Sequence, residues 1–85
     1  MKDQEYIDAI DQFVIDFVRD LRLEKGLKQK DIAAILSVGK SFVSNAESLN
    51  HRAKYNVRHI NILAYYFKMS PKDFLPEKPF TPSQE

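Results

Sequence analysis

Eighty-five residues suffice for one small domain and not for two, and a hydrophobic content of 44 % gives that domain the means to bury a core. The absence of cysteine excludes a disulfide frame and a thiolate metal site. Net charge is only +1, yet residues 1–24 carry seven acids against three bases and residues 25–59 seven bases against two acids, so the middle of the chain is the part suited to an anionic partner. No run of eighteen apolar residues and no basic-then-apolar leader occurs, so the chain is expected to be soluble and cytoplasmic, with no membrane partner.

The first helix is predicted over residues 4–25. Its apolar set Tyr6, Ile7, Ile10, Phe13, Val14, Phe17, Val18 and Leu21 follows the i, i+3, i+4, i+7 spacing of one buried face, with acids opposite. Gly26 stops it, as the residue after a helix that takes positive φ without penalty. Tyr6, Ile7 and Ile10 lie at the front of this long helix. They form either a self-association surface for a homodimer or a cap over the open end of the core.

Residues 27–48, LKQKDIAAILSVGKSFVSNAES, read as two short helices joined by a tight turn. In the first, over residues 29–36, Ile32, Ala33 and Leu36 are apolar on one side while Lys28, Lys30 and Asp31 take the other. The second covers residues 40–48. It turns Val43, Ala46 and the ring of Phe42 inward and leaves Lys40, Ser41, Ser44 and Asn45 facing out. Ala33 and Ala46 are small where the helices cross, which lets the backbones approach and holds the second helix proud of the domain. Helix 29–36 lacks a Ser or Thr cap. Asp31 must therefore meet the free N–H groups of its first turn.

The link LNHRAKY, residues 49–55, is rich in donors, and Asn50, His51, Arg52 and Lys54 are placed either to meet phosphates or as a solvated basic loop. Asn56 caps a fourth helix over residues 57–68, whose buried stripe is Val57, Ile60, Leu63, Ala64 and Phe67, with Tyr65 and Tyr66 at its edge. Ser70, Pro71 and Asp73 announce a short fifth helix ending at Leu75, where Phe74 and Leu75 close the core. Residues 76–85 hold three of the four prolines and are expected to be a flexible tail, with Phe80 either inert or a contact for a partner.

The spacing of these residues resembles the helix-turn-helix of the phage repressor and Cro superfamily. The matching positions are Leu21, Arg22, Gly26, Leu27, Gln29, Ile32, Ala33, Val38, Ser41, Val43, Ser44 and Glu47, continuing through Ile60, Leu63, Ala64 and Phe67 to Phe74 and Leu75, roughly residues 13–75. The resemblance implies that Gln29 opens the first motif helix and touches a phosphate and the reading helix, that Lys40, Ser41 and Asn45 reach base edges, and that Arg22 and Glu47 form a partly buried ion pair. It also implies backbone contacts from Arg52 and Lys54, and Lys28 is grouped with them. Ser37 stands where the family usually has Gly. Were it to take positive φ it would be strained.

Catalysis finds no support. His51 and His59 have no acid at a ligand spacing, the serines have no Gly-x-Ser-x-Gly setting, and two glycines cannot make a phosphate-cradling loop. Neither a metal nor a cofactor is expected. The expected fold is all-α, a compact five-helix bundle of the lambda-repressor type with an extended first helix over residues 1–75. Its expected function is sequence-specific binding of double-stranded DNA by a small transcriptional regulator, with Lys40 suited to guanine, Asn45 to adenine and the serines to either or to phosphate. Two copies on half-sites one helical turn apart would supply affinity. The alternative is a protein-interaction module, antitoxin-like or adaptor, on the same scaffold.

Overall fold

A computed structural model describes residues 7–49 and 53–82. Four α-helices, α1 (Ala9–Glu24), α2 (Gln29–Leu36), α3 (Lys40–Glu47) and α4 (Val57–Phe67), are followed by a 3-10 turn, Pro71–Phe74. There is no strand among the described residues. The fold is thus all-helical, with the fifth helix of the sequence reading replaced by one 3-10 turn. That turn carries the expected start, since Ser70 Oγ accepts from Lys72 N–H at 3.3 Å and Asp73 Oδ2 accepts from Ser70 N–H at 3.0 Å.

The first helix begins later than its apolar pattern suggests. Ile7 and Asp8 are not helical, Asp8 is the extended residue before the first turn, and Tyr6 lies outside the described residues. One core joins Val14, Ile15, Val18 and Leu21 of α1 to Ile32, Ala33 and Leu36 of α2, Val43 and Ala46 of α3, and Ile60, Leu63 and Ala64 of α4, with Tyr55 and Phe74. Helix α2 packs chiefly on α3 and also on α4, while α1 supports α3 and the terminal turn. Ile15, absent from the predicted stripe, is buried with it. Asp16 and Asp20 of α1 face solvent, where Arg19 sits 3.8 Å from Asp16 and 3.6 Å from Asp20.

Two positions depart from the predicted stripes for one reason. Val57 is 81 % exposed, because the first turn of α4 turns His59 and Ile60 inward in its place. Tyr65, two turns further along that outer face, is 87 % exposed and not at a packing boundary. Leu75 is likewise exposed while Phe74 is fully buried, since Leu75 leaves the 3-10 turn on extended backbone (φ −117°, ψ 153°) and does not continue the face that Phe74 buries.

Helices α1, α2 and α4 end in the same way. Gly26, Ser37 and Lys68 adopt positive φ (71°, 60° and 60°), and the next residue donates its N–H five residues back: Leu27 to Arg22 O at 2.9 Å, Val38 to Ala33 O at 3.0 Å, Met69 to Ala64 O at 2.8 Å. This is the Schellman arrangement, and Leu27, Val38 and Met69 each lay an apolar side chain against the core. Ser37 therefore does take the strained conformation. A left-handed non-glycine costs about 1–2 kcal/mol, and glycine returns about half of that through its freer unfolded state. Ser37→Gly should stabilise the fold by about 0.5–1 kcal/mol in urea denaturation, and a loss of stability would mean the serine makes a compensating contact.

The tail does not leave the domain at once. Phe80 lies with its ring 6.1 Å from that of Phe13, and residues Pro79 to Pro82 border a shallow groove with Asp8, Ala9 and Ile10. Phe80 thus meets the chain's own first helix. Ile7 is half-buried against the core and Ile10 is exposed at the groove's rim.

Candidate nucleic-acid interface

Helix α3 is held from three sides, and its outward surface follows from that. Val43 and Ala46 are buried, Ala33 of the adjoining α2 is buried as well, and the half-buried Phe42 packs its ring 5.8 Å from Tyr55 and 5.3 Å from His59. The remaining positions face away. Lys40 and Ser41 are exposed, and Ser44 and Asn45 are half-buried. Gly39 precedes the helix with extended backbone and has open space around it.

The C-terminal end of α3 is fixed by a network centred on Glu47. Arg22 Nε donates to Glu47 Oε2 at 3.1 Å and Arg22 Nη2 to Oε1 at 2.9 Å, a bidentate pair whose side chains are 12 % and 7 % exposed. Arg22 Nη1 also donates to the Leu27 carbonyl at 3.1 Å, which ties the end of α1 to the chain entering α2. Gln29 Nε2 completes the set by donating to Glu47 Oε1 at 2.9 Å. The Arg22–Glu47 pair is therefore present, and Gln29 joins α2 to α3. Tyr55 lies against the same network with its hydroxyl buried and without a hydrogen-bond partner among the described residues. Burial pushes its phenol well above the ordinary 10.0, Glu47 adds to the rise, and Arg22 opposes it.

At the other end of α3, Lys40, Ser41 and Ser44 form a concavity with Gln29 and Lys30 of α2. Two cations and two hydroxyls thus converge between the starts of two helices, whose free N–H groups favour an anion, while the side-chain amide of Gln29 is held by Glu47. Ser44 Oγ donates to the Ser41 carbonyl at 3.0 Å, which leaves its oxygen able to accept a further hydrogen bond. Asn45 does not line this concavity. The sequence puts Lys30 on the polar side of its helix but assigns it no role, because its meeting with Lys40 depends on how α2 and α3 cross. Lys28 is exposed at the start of α2, where Asp31 Oδ2 accepts its N–H at 2.8 Å; Asp31 thus ties down the residue before the helix and not, as expected, the free N–H groups of the first turn.

The expected backbone contacts of the link are less uniform. Lys54 is half-exposed with Nζ 3.5 Å from Asp11 Oδ2 of α1, so a phosphate would have to compete with that carboxylate. Arg52 lies outside the described residues, as do Asn50 and His51. Among the described residues no group of three or more His, Asp and Glu is gathered for a metal, and no helix is long and apolar enough to cross a membrane.

No family model matches the chain, and neither a curated protein nor a solved structure matches it.

Proposed function

We propose that the chain is a small transcriptional regulator that binds double-stranded DNA sequence-specifically, as a helix-turn-helix domain of the phage repressor and Cro type. The observation that carries this reading is the presentation of α3: one side packed on α2, its far end locked by Arg22 and Gln29, and Lys40, Ser41, Ser44 and Asn45 left outward. Lys40 is suited to guanine O6 and N7, Asn45 to adenine N6 and N7, and the serines to either. Lys28, Lys30 and the start of α2 would set the register on phosphates, together with Gln29 and the cations of the link. Two copies on half-sites one helical turn, ~34 Å, apart would supply the affinity that one small module lacks.

Retention on random duplex DNA that weakens steeply with salt is the expected result, followed by enrichment of one motif from a randomised duplex pool. Asn45→Ala should cost about 1–3 kcal/mol and relax the preference at one base pair, whereas Lys30→Ala should weaken all sequences alike and flatten the salt dependence. Equal behaviour of the two variants would remove the division between base and backbone roles. The second reading is a protein-interaction module, and what favours it is the aromatic surface of α4, where Tyr65 and Tyr66 are exposed. Such a module would show almost no salt-dependent retention on DNA.

A further inference from the structure

His59 is the one buried residue outside the hydrophobic core among the described residues, 7 % exposed where α3, the incoming link and α4 meet. Its Nδ1 accepts the N–H of Asn56 at 3.1 Å, while Asn56 Oδ1 accepts the N–H of His59 at 2.8 Å. This is a reciprocal capping box with an imidazole in the place more often held by Glu or Gln. The ring is also edge-on to Phe42 of α3 at 5.3 Å and to Tyr55 of the link at 6.0 Å, and those two rings contact each other. One imidazole therefore caps α4 and braces the inner side of α3.

A ring nitrogen accepts a hydrogen bond only while it keeps its lone pair. A proton on Nδ1 turns the acceptor into a donor facing the Asn56 N–H. It also places a cation at the positive end of α4. Phe42 brings no charge to the site, and Tyr55 brings a phenol that stays neutral in this range; the charged group acting on the ring is Arg58 of α4, which repels a second cation. We propose that His59 is a proton-sensitive clasp that, when neutral, holds the start of α4 and Tyr55 against the reading helix and, when protonated, releases them, making the seating of α3 dependent on pH. The clasp operates whatever α3 binds.

Burial, reinforced by Arg58, holds the imidazole below its ordinary value of 6.5. As the pH falls through 6.5 the unfolded chain takes up the proton before the folded one does. Stability is thus complete above about 6.5 and is lost below it until the folded ring itself titrates, with the folding constant falling by up to about tenfold per pH unit in that window.

The test follows the histidine ring resonances and the Asn56 amide of the full chain by NMR from pH 8 to 5, with His51→Gln to assign the two rings. Urea denaturation of the wild type and of His59→Gln runs over the same range. The glutamine introduced by His59→Gln keeps an oxygen for the Asn56 N–H and cannot titrate, so the folding constant of this variant should lose the slope that the wild type shows below 6.5. In the wild type, the Asn56 amide and the ring of Phe42 should shift at the His59 midpoint. A His59 midpoint at or above 6.5, or equal slopes in the two proteins, would overturn the proposal. If His59→Gln fails to fold, the wild-type titration decides alone.

Discussion

Glu47→Ala should destabilise the domain by about 3–5 kcal/mol, because it leaves the Arg22 guanidinium largely buried without its carboxylate. For a chain of 85 residues total stability is about 4–13 kcal/mol, so the variant gives up a large share of it. Three donors lose their acceptor at once, the Nε and Nη2 of Arg22 and the amide of Gln29, while only the bond from Arg22 Nη1 to the Leu27 carbonyl survives. The large effect comes from desolvation and not from the intrinsic strength of the pair. A double replacement, Arg22→Met with Glu47→Leu, removes both charges and fills similar volume, so it should recover most of the stability lost by the single variant. Urea denaturation of the three proteins at pH 7.5 measures this directly. A single variant within about 1 kcal/mol of wild type would mean that water reaches Arg22 freely and that α3 is not anchored by this network.

The helices that this network joins are also the most legible in the sequence. Helix α2 occupies the predicted residues 29–36, and α3 ends one residue before the predicted boundary, because short helices with one buried side have few ways to satisfy the i, i+1, i+4 pattern. Lys40 and Ser41 are legible as outward for that reason. What stays hidden depends on contacts between segments far apart in the chain. Lys30 joins Lys40 only through the crossing of α2 and α3, and Lys54 meets Asp11 only because the link folds back on α1. Periodicity also gives a stripe without saying where a helix begins, so the pattern extends to residue 4 whereas α1 starts at Ala9.

His59 escapes a reading by hydrophobic pattern for a chemical reason. A histidine is not counted among apolar residues, so the stripe of α4 passes through Val57 instead. The signal is nevertheless present, since Asn56 and His59 stand at the spacing of a capping box. Ser37 stands out because serine has no conformational freedom to spare at positive φ, but the apolar residue that follows, Val38, already marks the site as a Schellman ending, as Leu27 does after Gly26.

Phe74→Ala should cost about 3–5 kcal/mol, comparable to the loss of Glu47 but through packing alone. Phe74 is the largest fully buried side chain among the described residues, and its ring meets Phe17 of α1 edge-on at 4.9 Å. The 3-10 turn that carries it is four residues long and packs on both α1 and α4. So short a turn has little stability of its own, and the buried ring supplies what holds it to the bundle. Leu75, next in the chain, is an internal control: it is exposed, and Leu75→Ala should change stability by less than about 1 kcal/mol. Equal losses in the two variants would show that the turn is held by its backbone and not by the ring. Phe74 also lies away from the surface of α3. On the proposed DNA-binding function, Phe74→Ala at a temperature where it remains folded should match the wild type in affinity for duplex DNA, whereas Glu47→Ala should lose affinity even in its folded fraction, because α3 has lost its anchor.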